Sequence, residues 1–386
     1  MTELSLFDGD PFNRLMGRLG LGRDRPHWAA RRAVTGWVLT WVVLAALSAA
    51  SGLALGPTLR EKFLIDFAAY GQFWVAVPLF LLAEPGVDRH LANAVRVFAT
   101  SGLIRPEEAA GFETAIRSAN GTKAWWAIDV VLLAATFGMG LTWLSDELGN
   151  GSGSWHARLG PGGETLTLPG WWLLLVGIPV FNYLLLRWVY KLAVWFHVLW
   201  RVSRLDLKII VGHPDQAGGL GFLGDLQSIF GMLIFAVGST VASTVGYKIT
   251  IEKSSALTAA TAGPIVAFVV LAPVAFLAPL LFFTAQLYWA KVRGLVGYTL
   301  AAGRYAQAFE ARWVSQSPPP AEEFLGTGDI QSFADLGTVF ESVRSMRIFP
   351  FDVGTVIRLI LTAAGPMLPL LAKFFPQMRP LLDFLG

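Results

Sequence analysis

The chain contains no cysteine, few charged residues and only five histidines among 386 residues. Without cysteine, disulfides, thiolate-bound metals, iron–sulfur clusters and cysteine nucleophiles are excluded. Charged residues make up 15% of the sequence, whereas soluble domains typically contain about 25%. The N-terminal 32 residues lack the short apolar stretch of a secretory signal. The composition therefore disfavours a soluble or nucleic-acid-binding protein, despite the net charge of +3.

Long apolar runs are abundant instead. Hydrophobic residues make up 54% of the chain, and the mean hydropathy is +0.54. A helix that crosses about 30 Å of hydrocarbon needs roughly 20 apolar residues. Seven runs approach that length, near 33–56, 67–83, 124–145, 170–186, 226–247, 261–288 and 354–372. We therefore predict an all-α, polytopic membrane protein with about seven transmembrane helices, numbered span one to span seven. The second run is short, and the seventh contains Pro366 and Pro369 and could turn back.

Basic residues are distributed unequally between alternate connecting segments. The segments 1–32, 84–123, 187–225 and 291–352 contain 22 Lys and Arg residues, whereas 57–66, 146–169, 248–260 and 373–386 contain 7. Basic residues stay on the cytoplasmic side during insertion. We therefore predict a cytoplasmic N-terminal segment at 1–32 and a transmembrane domain at 33–372. Its cytoplasmic insertions lie at 84–123, 187–225 and 291–352, and a C-terminal tail follows at 373–386.

The cytoplasmic insertions have helical patterns of their own. Apolar residues at helical spacing predict two short amphipathic helices in 84–123, and span four is expected to continue to about residue 204. One helical face is formed by Ile330, Phe333, Leu336, Phe340, Val343 and Met346. We expect this face to pack on the extension of span four and on the helices of 84–123, in a small cytoplasmic helical layer. The external loop 146–169 is rich in Gly and Ser, which predicts a flexible connection without a site.

The stretch HPDQAGGLGFLGD at 213–225 allows several interpretations. The spacing of Gly219, Gly221 and Gly224 resembles a dinucleotide-binding loop, but the helix that follows must cross the bilayer and carries no acidic residue. His213 and Asp215, with Asp225, could bind a metal, although no second histidine is near in sequence. The favoured interpretation is a tight turn in which glycines adopt positive φ and Asp225 caps span five. A gating role is compatible with that turn.

Ionisable residues near membrane depth are candidates for function. The candidate inner-mouth or gating residues are Asp129, Arg187, Lys191, His213, Asp215 and Arg358. For each, a structural role is the alternative, because long basic side chains extend to the interface and Asp can pair with them. Small hydroxyls in span five and prolines in span six suit either close helix packing or a polar pathway. The candidate transport path comprises Ser239, Thr240, Ser243, Thr244, Pro273 and Pro279.

Three stretches resemble a family of uncharacterised bacterial integral membrane proteins. They are FLIDFAAYGQFWVAVPLFLLAEPGVDRHL, HPDQAGGLGFLGD and GTGDIQSFADLGTVFESVRSMRIFPFD, and the likeness covers about residues 60 to 372. The resemblance implies a multi-pass protein of the bacterial inner membrane. It implies no activity and no catalytic residue.

Two functions remain open. The leading hypothesis is a channel or transporter for a small solute or ion, and the alternative is a membrane scaffold or sensor that binds a partner through its cytoplasmic helices. An intramembrane enzyme is disfavoured, because no Ser–Lys, His–Glu or Asp–Asp pair has catalytic spacing. We therefore predict no catalytic residue, no cofactor and no metal. The expected partners are the lipid bilayer, a small solute or ion, and further copies in a homo-oligomer.

Overall fold

The computed structural model describes residues 10–122, 126–150, 153–160, 163–251, 258–315 and 328–370. Within these residues the fold is all-α and polytopic, as the apolar runs predict, with seven helices long and apolar enough to cross a membrane. These spans one to seven are Trp28–Ala50, Phe67–Thr100, Trp126–Asp146, Leu168–Val202, Phe222–Thr250, Ala259–Val314 and Val353–Leu370. The shorter elements are the helices Pro11–Arg18, Ala109–Thr122 and Gly328–Ser345 and the strands Ala157–Gly160 and Gly163–Leu166.

Span two is longer than the sequence predicts. We expected it to end at residue 83 and a separate amphipathic helix to follow, but one helix continues through Pro85 to Thr100. A proline loosens the preceding helical turn because it donates no amide hydrogen bond and crowds the carbonyls before it. Span four contacts the helix just before this point, since Trp188 Nε1 donates to the Phe80 carbonyl at 3.0 Å. The second expected helix of this insertion is present at Ala109–Thr122.

Glycines allow span two to pack closely on both of its neighbours. At Gly36 of span one, an added Cβ would lie 2.9 Å from a Leu81 methyl carbon. At Gly71 of span two, an added Cβ would lie 2.6 Å from the Ser239 carbonyl oxygen of span five. Real Cβ atoms do not approach backbone atoms this closely, so the contact at Gly71 requires glycine, whereas at Gly36 a larger residue would displace the Leu81 side chain. Spans one, two and five therefore form a tightly packed centre.

We call the side of the membrane that holds the N-terminal helix the inner side, and the opposite side the outer side. The outer loop 146–169, predicted to be a flexible connection, instead contains an antiparallel hairpin in which Ala157 pairs with Leu166. Trp155, only 2% exposed, anchors it by donating from Nε1 to Asp66 Oδ2 at 2.8 Å. This prediction was wrong because the aromatic anchor outweighs the loop's glycine and serine content.

On the inner side, span four extends to Val202, as predicted. Span six extends further, and its helix of 56 residues would measure about 84 Å at 1.5 Å per residue. The helix Gly328–Ser345 packs against this extension and not against span four, which corrects the expected arrangement. Phe333 stacks on Tyr305 and Phe309 of span six, with ring centroids 5.9 and 5.1 Å apart. We call this pair of helices, 284–314 and 328–345, the inner arm.

Candidate functional site

Five ionisable side chains are buried together where spans one, two and four approach the inner side. They are Asp10, Arg32, Glu84, Arg187 and Lys191, and none is more than 3% exposed. Arg32, Glu84 and Arg187 each lie 17 to 19 residues from the outer end of their helix, which corresponds to about 25 to 30 Å. The three groups therefore lie near the inner boundary of a hydrocarbon core about 30 Å thick. We call these five residues the charge cluster.

Glu84 joins the three spans. Its carboxylate accepts from Arg187 Nη1 of span four and from Arg32 Nη1 of span one, the latter at 3.3 Å. The same Arg32 nitrogen donates to Asn13 Oδ1 at 2.6 Å, and Arg32 Nε donates to the Leu21 carbonyl at 2.8 Å. Because Glu84 itself is 0% exposed, solvent cannot replace either arginine as its partner.

The N-terminal segment completes the charge cluster. Asp10 Oδ2 lies 2.8 Å from Arg187 Nη2 and 3.2 Å from Lys191 Nζ. Its other oxygen, Oδ1, accepts from the Asn13 amide at 2.7 Å and so caps the helix Pro11–Arg18. Burial would raise the pKa of Asp10, but the charges of Arg187 and Lys191 and the Asn13 amide hold that pKa below its usual value. The carboxyl is therefore ionised at neutral pH.

The predicted inner-mouth residues separate into two groups. Arg187 and Lys191 belong to the charge cluster, and Asp129 lies beside it, accepting from the Tyr183 hydroxyl at 2.8 Å. His213 and Asp215 line a different cleft, with a volume of about 420 Å³. Arg358 lies next to that cleft, 3.4 Å from Asp225, and its side chain is 54% exposed. The six residues therefore do not form one mouth.

The segment 213–225 forms a turn organised by Asp215. Its carboxylate accepts from the amides of Ala217, Gly219 and Gly221 at 2.8 to 3.1 Å, which lowers the pKa of Asp215 although burial opposes this effect. Positive φ occurs at Gly218 and Gly219, as predicted. The predicted cap was wrong, since the helix begins at Phe222 and Asp225 lies inside its first turn.

These contacts also bear on the other interpretations of the turn. Two amides that could hold a phosphate, those of Gly219 and Gly221, already donate to Asp215. Among the described residues, no group of three or more His, Asp or Glu side chains is placed to hold a metal. Instead, Arg347 Nη2 donates to the Asp215 carbonyl at 2.7 Å. The turn thereby joins the start of span five to the segment before span seven.

Three hydroxyls of the candidate transport path bond to carbonyls of their own helix, and Ser239 Oγ also lies 3.3 Å from the Gly71 carbonyl of span two. Ser239, Thr240 and Ser243 donate to the carbonyls three residues earlier, at 2.7 to 3.0 Å. Ser239 and Ser243 line a groove of about 380 Å³ that is shared with spans two and seven. Thr244 is half-buried. The serines therefore face span two and not the expected partner, span six.

The interface of spans five and six is apolar among the described residues. Gly238 lies against the Phe268 ring, and Phe230 packs on Phe276 with ring centroids 5.5 Å apart. Pro273 is buried inside the helix of span six, and Pro279 is buried in the 3-10 turn that follows it. These contacts between the two spans are apolar.

A polar line runs instead along the buried face of span one. Thr40 and Ser48 follow Arg32 at helical spacing toward the outer side, and both are 0% exposed. Thr40 donates to the Gly36 carbonyl at 2.8 Å. The buried atoms Ser48 Oγ and Trp41 Nε1 have no hydrogen-bond partner among the described residues. Buried polar atoms of this kind are usually satisfied by water or by a bound solute.

Sequence reasoning missed Asp10, Arg32 and Glu84 as members of the charge cluster. For Glu84 a signal was present, because Phe80, Glu84, Val87, Leu91, Ala94 and Phe98 follow one another at alternating spacings of four and three and are all buried. Glu84 thus occupies a core position of a continuous helix. For Asp10 and Arg32 the local pattern shows only a helix start and a basic flank, and neither identifies a distant partner.

Comparisons of the chain with known proteins give no matching family model, no matching curated protein and no matching solved structure. The resemblance to a family of bacterial membrane proteins therefore stays a prediction.

Proposed function

We propose that the protein transports a small solute or ion across the bacterial inner membrane, with the N-terminus in the cytoplasm and the charge cluster as the inner gate. The observation that carries the proposal is the burial of Glu84 and Arg187, at 0% and 1% exposure, in two membrane-spanning helices. Removing such charges from water costs several kcal/mol for each ion. Apolar residues of similar volume often hold helices together at least as well. Ionisable groups at this depth are therefore typical of ion and solute pathways.

The path that this geometry favours runs between spans one, two and four. It begins at the charge cluster and follows Thr40 and Ser48 along span one. On the outer side it ends beneath Asp66 and Trp155, where the hairpin covers the helices. Polar contacts close the path at the charge cluster and at the hairpin. A rearrangement between two conformations can break and reform such contacts. This path differs from the one expected between spans five and six.

Flux into proteoliposomes tests the proposal. Purified protein is reconstituted, and uptake is followed under imposed gradients of protons, potassium, chloride and inorganic phosphate. Thr40→Val removes the buried hydroxyl without changing side-chain volume, and we expect flux to fall about fivefold, which corresponds to one hydrogen bond of about 1 kcal/mol. The matched control is Thr35→Val on the exposed face of the same helix. Wild-type flux equal to that of empty vesicles under every gradient would exclude transport of these solutes.

A second candidate function, a membrane scaffold or sensor, is favoured by the inner arm. Its two helices leave apolar side chains exposed, with Leu300 at 58% and Phe333 at 42%. Such faces are typical of helix–helix association between proteins. If the protein acts as a scaffold or sensor, Leu300→Glu abolishes the self-association or partner binding that light scattering measures and leaves flux unchanged. A monodisperse monomer for both wild type and variant would count against self-association through the arm.

A further inference from the structure

We infer that Arg187 and Lys191 form a binding site for a small oxyanion, a carboxylate or phosphate group, and that Asp10 occupies this site in the structure. This site rests on the proposed function and makes it more specific, because it assigns the transported or gating solute to the anionic class. The site lies in the charge cluster at the inner end of span four.

Two cations from one helical turn converge on a single oxygen. Arg187 Nη2 and Lys191 Nζ lie 2.8 and 3.2 Å from Asp10 Oδ2. Their i,i+4 spacing places both side chains on the same face of span four. Donors of this kind bind carboxylate and phosphate oxygens through charge-assisted hydrogen bonds. An oxygen of either group can therefore take the position of Asp10 Oδ2.

The two carboxylates of the charge cluster differ in how they are held. Glu84 lies inside span two, within a helix packed on spans one, four and five. Asp10 lies at the start of an eight-residue helix in which no residue is fully buried. Leu15 and Leu19 on this segment are 51% and 61% exposed. Asp10 is therefore an exchangeable anion, whereas Glu84 is a fixed one.

The N-terminal helix is also attached through Phe12 and Asn13. The Phe12 ring lies over the Arg187 guanidinium, with the centroid 4.4 Å from Cζ, and beside Tyr183 at 5.7 Å. Asn13 accepts from Arg32. Withdrawal of the helix would remove the Asp10 charge from both cations and leave Glu84 as the carboxylate in contact with Arg187, and losing one anion from a buried cation pair is unfavourable. An oxyanion from solution or from a lipid headgroup relieves that cost.

Asp10→Asn provides a specific test. Asparagine caps a helix as well as aspartate does, so the substitution removes the charge and keeps the N-cap. Thermal unfolding of the full-length protein is followed in detergent with inorganic phosphate, acetate or chloride at equal ionic strength. We expect the variant to unfold at a lower temperature than wild type and to be restored by phosphate or acetate but not by chloride. The control Asp24→Asn, at a side chain that is 78% exposed, leaves the response unchanged.

The cation requirement is tested in the same background. Adding Lys191→Gln to Asp10→Asn should raise the half-saturating phosphate concentration about tenfold to 100-fold, since hydrogen bonds to charged groups contribute about 1.5–3 kcal/mol. Should Asp10→Asn fail to fold, Phe12→Ala keeps every charge, weakens the attachment of the helix and should also gain a phosphate response. Nanodiscs containing phosphatidylglycerol or phosphatidylcholine distinguish a lipid phosphate from a soluble one.

Stabilisation of the variants by phosphate, acetate or the anionic lipid supports the site. The added anion or lipid that stabilises them identifies the source of the oxyanion. No response beyond that of chloride, in both Asp10→Asn and Phe12→Ala, overturns it. Binding in detergent does not depend on flux. An anion response without flux in proteoliposomes would therefore reject the proposed transport and keep the site, and flux without an anion response would do the reverse.

Discussion

The Glu84–Arg187 contact gives the sharpest prediction about stability. Both side chains are almost fully excluded from solvent, and each has a second partner in the charge cluster. Glu84→Gln removes the charge that faces Arg187 and Arg32, and Arg187→Gln removes a charge that faces Glu84 and Asp10. Breaking one partner of a buried ion pair costs about 3–5 kcal/mol, because the remaining charge stays buried.

The double variant should cost much less than the sum of the two single variants, because it leaves neither charge of the pair uncompensated. We expect a coupling free energy of about 2 kcal/mol or more, within the range found for residues in one buried network. The assay is reversible unfolding in mixed micelles with increasing SDS, which gives the free energy of unfolding for all four proteins. The double variant should therefore lose less stability than the sum of the two single losses, by the coupling free energy.

An exposed ion pair serves as the matched control for this cycle. Glu113 and Arg117 lie one turn apart on one helix, 2.7 Å from each other, with side chains 55% and 64% exposed. Their cycle should give a coupling of about 0.3–0.5 kcal/mol. If the Glu84–Arg187 cycle gave a value no larger than this, or if each single variant cost less than about 1 kcal/mol, the charge cluster would not be buried as described.

Three further predictions concern the packing of span two, the turn at 213–225 and the outer hairpin. Gly71→Ala should destabilise the protein by about 1–3 kcal/mol through overpacking against span five. At Gly86 in the same helix an added Cβ meets no atom within 4 Å, so Gly86→Ala should stabilise the protein by about 0.5–1 kcal/mol. Equal effects of the two variants in SDS unfolding would refute this. Asp215→Ala should lower the free energy of unfolding by about 3 kcal/mol or more, because three amides lose their acceptor. The control Asp225→Ala, at an exposed residue, should lower it by less than about 0.5 kcal/mol. The midpoints of thermal unfolding compare the two variants. Burial lowers the pKa of His156 from 6.5 to about 4. Between these pH values the unfolded chain binds a proton that the folded chain does not, so stability falls as pH decreases from about 6.5 to 4, by at most about 3 kcal/mol. His156→Gln should remove this pH dependence from the unfolding curve.

Much of the fold could be predicted because hydrocarbon imposes a simple requirement. A segment without charge that is about 20 residues long is stable in the bilayer as a helix, since all of its backbone hydrogen bonds are internal. Spans five and six, with no charge at 226–247 and 261–288, are clear examples. The projection of span four was also predictable, because no helix-breaking residue interrupts 187–202.

Contacts distant in sequence were harder to predict. The strands Ala157–Gly160 and Gly163–Leu166 are anchored through Trp155, which donates from its ring to Asp66 and from its backbone amide to the Arg60 carbonyl, and Trp155 and Asp66 are 89 positions apart. The inner arm forms because Tyr305 and Phe309 present rings to Phe333, whereas the sequence shows only that Phe333 requires an apolar partner. Periodicity identifies a face but does not choose between several faces that could cover it.

The candidate site shows the same division. Arg187 and Lys191 were predicted from their position at the end of an apolar run, which is a local signal. Their partner Asp10 is 177 residues away from Arg187, in a segment that looks polar and solvated. Glu84 was placed outside span two because the second uncharged run ends there. Only the three-dimensional arrangement shows that Trp188 stabilises the helix at this position.

The arrangement of span one across the membrane can be tested directly with single cysteines, because the native chain has none. Leu19→Cys, in the N-terminal segment, and Leu55→Cys, beyond the outer end of span one, are both in exposed positions. In vesicles of defined sidedness, a membrane-impermeant maleimide should label residue 19 only from the cytoplasmic face and residue 55 only from the opposite face. Labelling of both positions from one face would contradict the proposed topology and, with it, an inner gate at Arg187.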